Sequence, residues 1–310
     1  MKLKLISLCM LLCLLLSACG QASETMVILE DEMIALTEAP AAVPFIPEPV
    51  ASGTLVKSGN KAEIDYSNTG DGYVMVRYTT DNSKRLKVQV AGPTTTYTYN
   101  LTPKLWETFP LSDGNGNYKI TVYQNVTGNK YAALLSLSTK ITLSDEFAPF
   151  LRPNQYVNYK ADSETVKKAA ELTKDIEDPL KMVEKVYDYV VKTLSYDKEK
   201  AKTVKSGYLP VLDTVLSEKK GICFDYASLM TAMLRSQGVP CKLVIGYAGT
   251  AYHAWITVWS EDTGWVDGVI YFDGSTWHRM DPTFASSGNQ SSSIMEYIGN
   301  GANYSAKYLY

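Results

Sequence analysis

Two periodicities divide the chain. From Thr54 to Leu143, apolar and polar residues alternate in short runs: Ala62–Tyr66, Tyr73–Tyr78, Leu86–Val90, Tyr97–Tyr99, Tyr118–Tyr123 and Ala132–Leu143. A period of two turns one face of an extended chain towards a core. Turn-forming groups separate the runs, among them Asn68-Thr69-Gly70-Asp71-Gly72, Asp81-Asn82, Gly92-Pro93, Asp113-Gly114-Asn115-Gly116 and Gly128-Asn129. Six or seven short strands punctuated in this way predict an immunoglobulin-like β-sandwich over residues 54–145. The chain has 22 tyrosines against 7 phenylalanines, and tyrosine suits half-buried strands. This region holds neither histidine nor cysteine, so no chemistry is assigned to it; spacing is the expected role, with substrate or wall binding as the alternative.

After Pro149 and Pro153 the period lengthens to that of helices. Asp162-Ser163-Glu164 precedes a short helix running to about Leu172. Asp178-Pro179 reads as an N-cap followed by proline at the first helical position. Leu180, Val183, Tyr187, Val190 and Leu194 then recur at spacings of three and four, one apolar stripe. Residues 198–220 read as a loop whose lysines make a solvated basic face. An amphipathic helix begins at Cys223, with Tyr226, Leu229, Met230, Met233 and Leu234 on its apolar face, and Gly238 with Pro240 stops it. Strands return at Leu243–Tyr247, Tyr252–Trp259, Val269–Phe272 and Thr276–Asp281. Helices followed by an antiparallel sheet make residues 146–310 an α+β domain. The tail with Tyr297, Tyr304, Tyr308 and Tyr310 is expected to add a strand or to cover a site.

The N-terminus carries a third pattern. Lys2 and Lys4 precede the apolar run Leu5–Leu16, which is too short to span a bilayer as a mature helix. Leu16-Ser17-Ala18-Cys19 followed by Gly20 resembles the lipobox of bacterial lipoproteins. That resemblance implies a signal peptide over 1–18, a lipid-modified Cys19 and anchoring of an extracytoplasmic protein at the cell surface by its acyl chains. Residues 20–56 hold six acidic residues and no lysine or arginine, with prolines at 40, 44, 47 and 49, so 19–53 is expected to be a semi-extended tether.

Composition then narrows the chemistry. A hydrophobic content of 45% with 20% charged residues is that of a globular protein. A net charge of −3 argues against a nucleic-acid partner, whose phosphates need many cations. Cys9 and Cys13 leave with the signal and Cys19 carries lipid, so Cys223 and Cys241 are the remaining thiols. Cys241 opens a strand-like run and reads as a small buried hydrophobe, and both thiols are expected to be free rather than bridged. No calcium loop or zinc-ligand cluster stands in the sequence, so neither metal nor cofactor is expected.

Cys223 follows Gly221-Ile222 at a helix start, where unpaired backbone N–H groups favour a negative charge and hence a thiolate. Such a nucleophile needs a base, and the base needs an orienting group. The chain has two histidines. In the strand Thr276–Asp281, alternation puts His278 on the face opposite Asp281, so Asp281 is better placed to orient His253 from a neighbouring strand. Cys223, His253 and Asp281 are thereby selected.

The order G-I-C-F-D-Y-A-S-L-M-T-A-M-L-R-S-Q-G-V-P, a strand ending Gly246-Tyr247, then His253-Ala254-Trp255, then Trp277 and Met280-Asp281-Pro282-Thr283 resembles the transglutaminase-like superfamily. The resemblance covers roughly residues 150–284 and takes in the lead-in Leu194-Ser195-Tyr196-Asp197. It implies a papain-like fold with Cys223 as nucleophile, His253 as base and Asp281 as orienting acid. The Cys223 backbone N–H belongs in the oxyanion hole; the glutamine that papain-like proteases place before the cysteine is absent from Ser217-Glu218-Lys219-Lys220. Tyr196 is a candidate substitute for the upstream tryptophan of animal-type transglutaminases, and Trp255, like Trp259, a candidate wall of an acyl groove. Asp225 and Asp197 read as capping residues. The function so implied is cleavage of peptide or cell-wall amide bonds through a thioester on Cys223. Protein transamidation and a non-catalytic binding module that keeps the fold are the alternatives.

Overall fold

The computed structural model describes residues 46–261, 264–267, 269–272, 277–287 and 300–310, all within the compact unit Ala41–Tyr310. The signal segment, Cys19, most of the tether, residues 288–293 and Tyr297 lie outside the described residues.

Eight strands come first: β1 (Val56–Gly59), β2 (Ala62–Asp65), β3 (Tyr73–Tyr78), β4 (Leu86–Ala91), β5 (Thr96–Leu101), β6 (Glu107–Pro110), β7 (Gly116–Thr127) and β8 (Lys130–Ile141). They form two antiparallel sheets, ordered β1-β2-β3-β6 and β5-β4-β7-β8. Alternation in β4 and β5 buries Leu86, Val88, Val90, Tyr97, Tyr99 and Leu101. These side chains share one core with Ile64, Val74, Val76 and Phe109 of the other sheet, which is what makes the pair a sandwich. The two strands absent from the sequence reading, β1 and β6, are four residues long and mostly unburied or half-buried, so they lack the alternating signal.

The helical part holds α1 (Glu164–Leu172), α2 (Pro179–Thr193), α3 (Lys198–Thr203), α4 (Leu212–Glu218) and α5 (Cys223–Ser236). Asp178 caps α2 by accepting the Leu180 N–H at 2.9 Å. Residues 198–220 are not a single loop. Asp197 accepts the N–H groups of Glu199 and Lys200 at 3.1 and 2.9 Å and so starts α3, and α4 follows. Between the helices, β9 (Ser195–Tyr196) and β10 (Lys220–Gly221) pair in parallel.

Nor is α5 amphipathic. Every side chain from Asp225 to Ser236 is buried, because α1, α2, α4 and two later strands all pack against this helix. Its five large apolar residues each contribute about 1.5–3 kcal/mol by leaving water, and most of its buried polar residues, Ser228 excepted, find partners inside. Thr231 Oγ1 donates to the Ala227 carbonyl at 2.8 Å and Ser236 Oγ to that of Met233 at 2.7 Å.

The second sheet system comprises β11 (Cys241–Ala248), β12 (Ala251–Ser260), β13 (Gly264–Asp267), β14 (Val269–Phe272), β15 (Trp277–Met280) and, after α6 (Pro282–Ser287), β16 (Tyr304–Leu309). The main sheet runs β13-β12-β11-β16, while β14 and β15 form a separate pair. The tail therefore adds a strand. Its close seat on β11 requires Gly246, since a Cβ there would lie 2.1 Å from the Ser305 carbonyl oxygen and 2.8 Å from Trp255 Cη2.

Arg235 ties these parts together. Its guanidinium is wholly buried and donates to the carbonyls of Cys241 at 2.8 Å, Arg152 at 2.7 Å and Tyr310 at 2.6 Å. Arg235→Met removes the guanidinium donors from the Cys241 and Arg152 oxygens, while the Tyr310 oxygen keeps the Leu243 N–H at 2.9 Å; a buried acceptor left without its donor costs about 1–3 kcal/mol. The expected result is a loss of about 2 kcal/mol or more, read as a lower urea midpoint at unchanged slope.

Candidate active site

The start of α5 is shaped by the residues around Cys223. A Cβ on Gly221 would stand 2.6 Å from Asp225 Cβ, so glycine lets the first helical turn fold back against β10. Asp225 accepts the Ile222 N–H at 2.8 Å. This is half of a capping box; isoleucine at the N-cap has no side-chain oxygen to return the bond. Cys223 is thus the first residue of α5, partly exposed, at the positive end of the helix dipole. Asp225 itself is 0% exposed, with Lys200 Nζ 2.7 Å from its Oδ2 and the Tyr208 hydroxyl donating to its Oδ1.

His253 is the third residue of β12, paired with Gly246 of β11, and is 6% exposed. Its Nε2 lies 2.6 Å from Asp281 Oδ2. Asp281 directly follows β15 and caps α6, with Oδ1 accepting the Thr283 N–H at 3.0 Å and its carbonyl accepting that of Ala285 at 2.9 Å. The Tyr304 hydroxyl of β16 adds a third donor, 3.2 Å from Oδ2. Trp255 stacks on the imidazole with ring centroids 6.2 Å apart and planes at 21°, and the Tyr304 ring packs edge-on against Trp255 at 5.3 Å.

The electrostatics follow. Burial alone lowers the imidazole pKa; the Asp281 charge, its hydrogen bond and the hydrogen-bonding Cys223 sulfur outweigh burial and raise His253 to about 10. Since Nε2 is held by Asp281, Nδ1 is the ring nitrogen left for the thiol. Cys223, singled out in the sequence at a helix start, and His253 with Asp281, paired there on strand parity, are thus joined through the imidazole. His278 stands opposite Tyr271 in the β14–β15 pair. The other thiol is different: Cys241 is buried, its Sγ 3.7 Å from Thr231 Oγ1, and desolvation pushes it up to about 12, so it stays protonated and inert. Cys223 and Cys241 are both free.

Cys223 and His253 open into a cavity of about 530 Å³. Tyr196 lines it, set beside Gly221 by the two-residue parallel ladder. Burial, then the neighbouring Cys223 and Asp225, raise the Tyr196 pKa, which keeps its hydroxyl a donor. Trp255 is 3% exposed and is not part of the wall; it supports His253 from behind. The sandwich does more than space the site, because Asn100 of β5 lines the cavity and its carbonyl accepts from Gln155 Nε2 at 2.9 Å. Tyr310, following β16, lines it too. Two features escaped the sequence reading: the contact of the Tyr304 hydroxyl with Asp281, which nothing local in the tail signals, and α6, which Asp281-Pro282 announces by repeating the Asp178-Pro179 cap pattern.

Residues 166–268 match the family model described as the transglutaminase-like superfamily. The uncharacterized protein YebA of Bacillus subtilis is 27% identical over 117 residues, covering 32% of this chain and 16% of that protein. A protein-glutamine gamma-glutamyltransferase of Pseudomonas aeruginosa is 29% identical over 68 residues, covering 17% of this chain and 10% of that protein. The chain thus spans about a sixth or less of the length of these curated relatives. Among solved structures, the periplasmic domain of TgpA from Pseudomonas aeruginosa aligns over 75% of this chain and 95% of that one, at 16% identity and a TM-score of 0.34.

A raised histidine makes a signed prediction. The His253–Asp281 contribution is fully present below the ordinary histidine pKa near 6.5 and is lost as pH rises through about 10. Thermal unfolding of the wild type and Asp281→Asn across pH 6–10.5 is expected to show a stability gap that is widest near pH 6 and narrows towards pH 10 to what the Thr283 and Tyr304 contacts contribute.

Proposed function

We propose that this chain, whose residues 166–268 form a transglutaminase-like core, is a cysteine-dependent amide hydrolase acting on peptide or cell-wall amides. The observation that carries the reading is the imidazole of His253 held between Cys223 and Asp281 where the cavity opens. His253 takes the Cys223 proton, and the thiolate attacks the amide carbonyl. The Cys223 N–H and the Tyr196 hydroxyl are the donors for the resulting oxyanion. The C–N bond then breaks, and His253 passes its proton to the departing amine, leaving a thioester. Water attacks the thioester as His253 removes its proton; the acid departs and the thiol returns. Asp281 holds the ring through Nε2 during both proton transfers.

An amine in place of water would give transamidation, the activity named in the Pseudomonas relative. A binding module without turnover has no use for a buried imidazole–carboxylate pair aimed at a thiol. The lipobox-like Cys19 and the proline-rich tether support a lipid-anchored enzyme on the outer face of a bacterial membrane, meeting its substrate there and no nucleic acid.

Cys223→Ala is expected to lower peptide or wall-fragment turnover by at least about 10³-fold, with fold and thermal stability retained. Offered a glutamine peptide and a primary amine, the wild type is expected to yield hydrolysed product by mass spectrometry; amine incorporation would reverse the choice. Tyr196→Phe is expected to reduce kcat about 10²-fold with little change in KM, as loss of an oxyanion donor does.

A further inference from the structure

The segment between α3 and α4 forms a lip over the cavity, with Val204, Lys205, Gly207, Tyr208 and Leu209 in its wall. Four contacts fix this lip. The Tyr208 hydroxyl donates to buried Asp225 in the first turn of α5, and Lys200 Nζ reaches the same carboxylate at 2.7 Å. Lys205 and Tyr208 close a turn, the Tyr208 N–H donating to the Lys205 carbonyl at 3.2 Å, with Gly207 at φ +89° as the turn requires. On its far side Gly207 abuts Asn100, where an added Cβ would lie 2.5 Å from Nδ2. The backbone bearing Lys205 is therefore held on the nucleophile helix at one edge and on the sandwich at the other.

Charge around this lip is uneven. Lys200, Lys202 and Lys220 are paired with Asp225, Glu199 and Asp197 respectively. Lys205 is exposed and has no ion pair among the described residues. It is the one lysine of the cavity wall, and no aspartate or glutamate lines that wall among the described residues. A cleft whose wall carries the exposed Lys205 ammonium group beside aromatic sides, with no carboxylate side chain among the described residues, favours a ligand with negative charge.

We propose that Lys205 is a specificity-determining residue that selects substrates carrying a carboxylate near the amide attacked by Cys223, that is, acidic peptides. This rests on the thiol-nucleophile reading of the site. The carboxylate can come from an acidic side chain or from a free peptide C-terminus, and both present the same oxygen pair to the ammonium group.

Two measurements on the full folded protein test it. The first compares alkylation of Cys223 by anionic iodoacetate and neutral iodoacetamide, read at that cysteine by peptide mass spectrometry. The iodoacetate-to-iodoacetamide rate ratio is expected to fall about fivefold in Lys205→Gln and further in Lys205→Glu, the size expected of one screened unit charge; what remains reports His253. Ratios equal in all three proteins overturn the proposal. The second measures binding to Cys223→Ala of three peptides alike except for a glutamate side chain with a C-terminal amide, a glutamine with a free C-terminus, and a glutamine with a C-terminal amide. Tighter binding of one or both acidic peptides, lost in the Cys223→Ala/Lys205→Gln double variant, supports the proposal and identifies the source of the carboxylate. Equal affinities for all three overturn it. If neither reagent alkylates Cys223, the nucleophile reading fails, and the peptide measurement alone decides the role of Lys205.

Discussion

The contact between His253 Nε2 and Asp281 Oδ2, 2.6 Å long and nearly out of water, is the constraint around which the second half of the molecule is arranged. A buried carboxylate is tolerated only with partners on its oxygens. Asp281 obtains them from three elements: the imidazole of β12, the first turn of α6 and the Tyr304 hydroxyl of β16. Each partner also serves the imidazole. β12 positions the ring, α6 fixes the carboxylate that orients it, and β16 packs Tyr304 against the Trp255 ring behind it. What satisfies the charge also aims the second ring nitrogen at Cys223.

The nucleophile is held by a separate set of contacts. Asp225 folds back on the Ile222 N–H, and Lys200 with Tyr208 neutralises it, so the turn that bears Cys223 and the lip of the cleft are parts of one polar network. At the other end of the same helix, Arg235 joins β11, the connector at Arg152 and the residue after β16. Tyr310 then packs against Tyr97 and Tyr99 of the sandwich and Tyr156 of the connector, with centroids 4.4–5.8 Å apart. The cavity is consequently walled by the helical part, the tail and the sandwich together.

Where local rules decide the structure, the sequence was legible. Alternation located β4, β5 and β7, the Asp178-Pro179 cap located α2, and Gly221 with the apolar spacing after it placed Cys223 at the start of α5. Strand parity chose His253 over His278 for Asp281. The rest depends on what comes to lie alongside. Nothing in the composition of α5 distinguishes a helix with one buried face from one surrounded on all sides; Ser228, Thr231 and Arg235 would serve either. Trp255 shares a strand face with His253, yet Tyr304, some fifty residues later, covers it and makes it a support rather than a groove wall. Asn100 carries no chemical signal; the Gln155 and Gly207 contacts and the packing of Tyr310 on Tyr97 and Tyr99 bring its strand to the cleft. Asp281-Pro282 was readable as a cap, because it repeats a pattern found earlier in the chain.

The most direct test of the thiol chemistry is an acid-quenched time course with a peptide ester, followed by intact-mass and peptide-level mass spectrometry. An acyl adduct on Cys223 that hydroxylamine removes, and that accumulates more slowly in His253→Gln, is the predicted result. An unacylated Cys223 while the ester is consumed, or an adduct on any other residue, would contradict the assignment of Cys223 as the nucleophile.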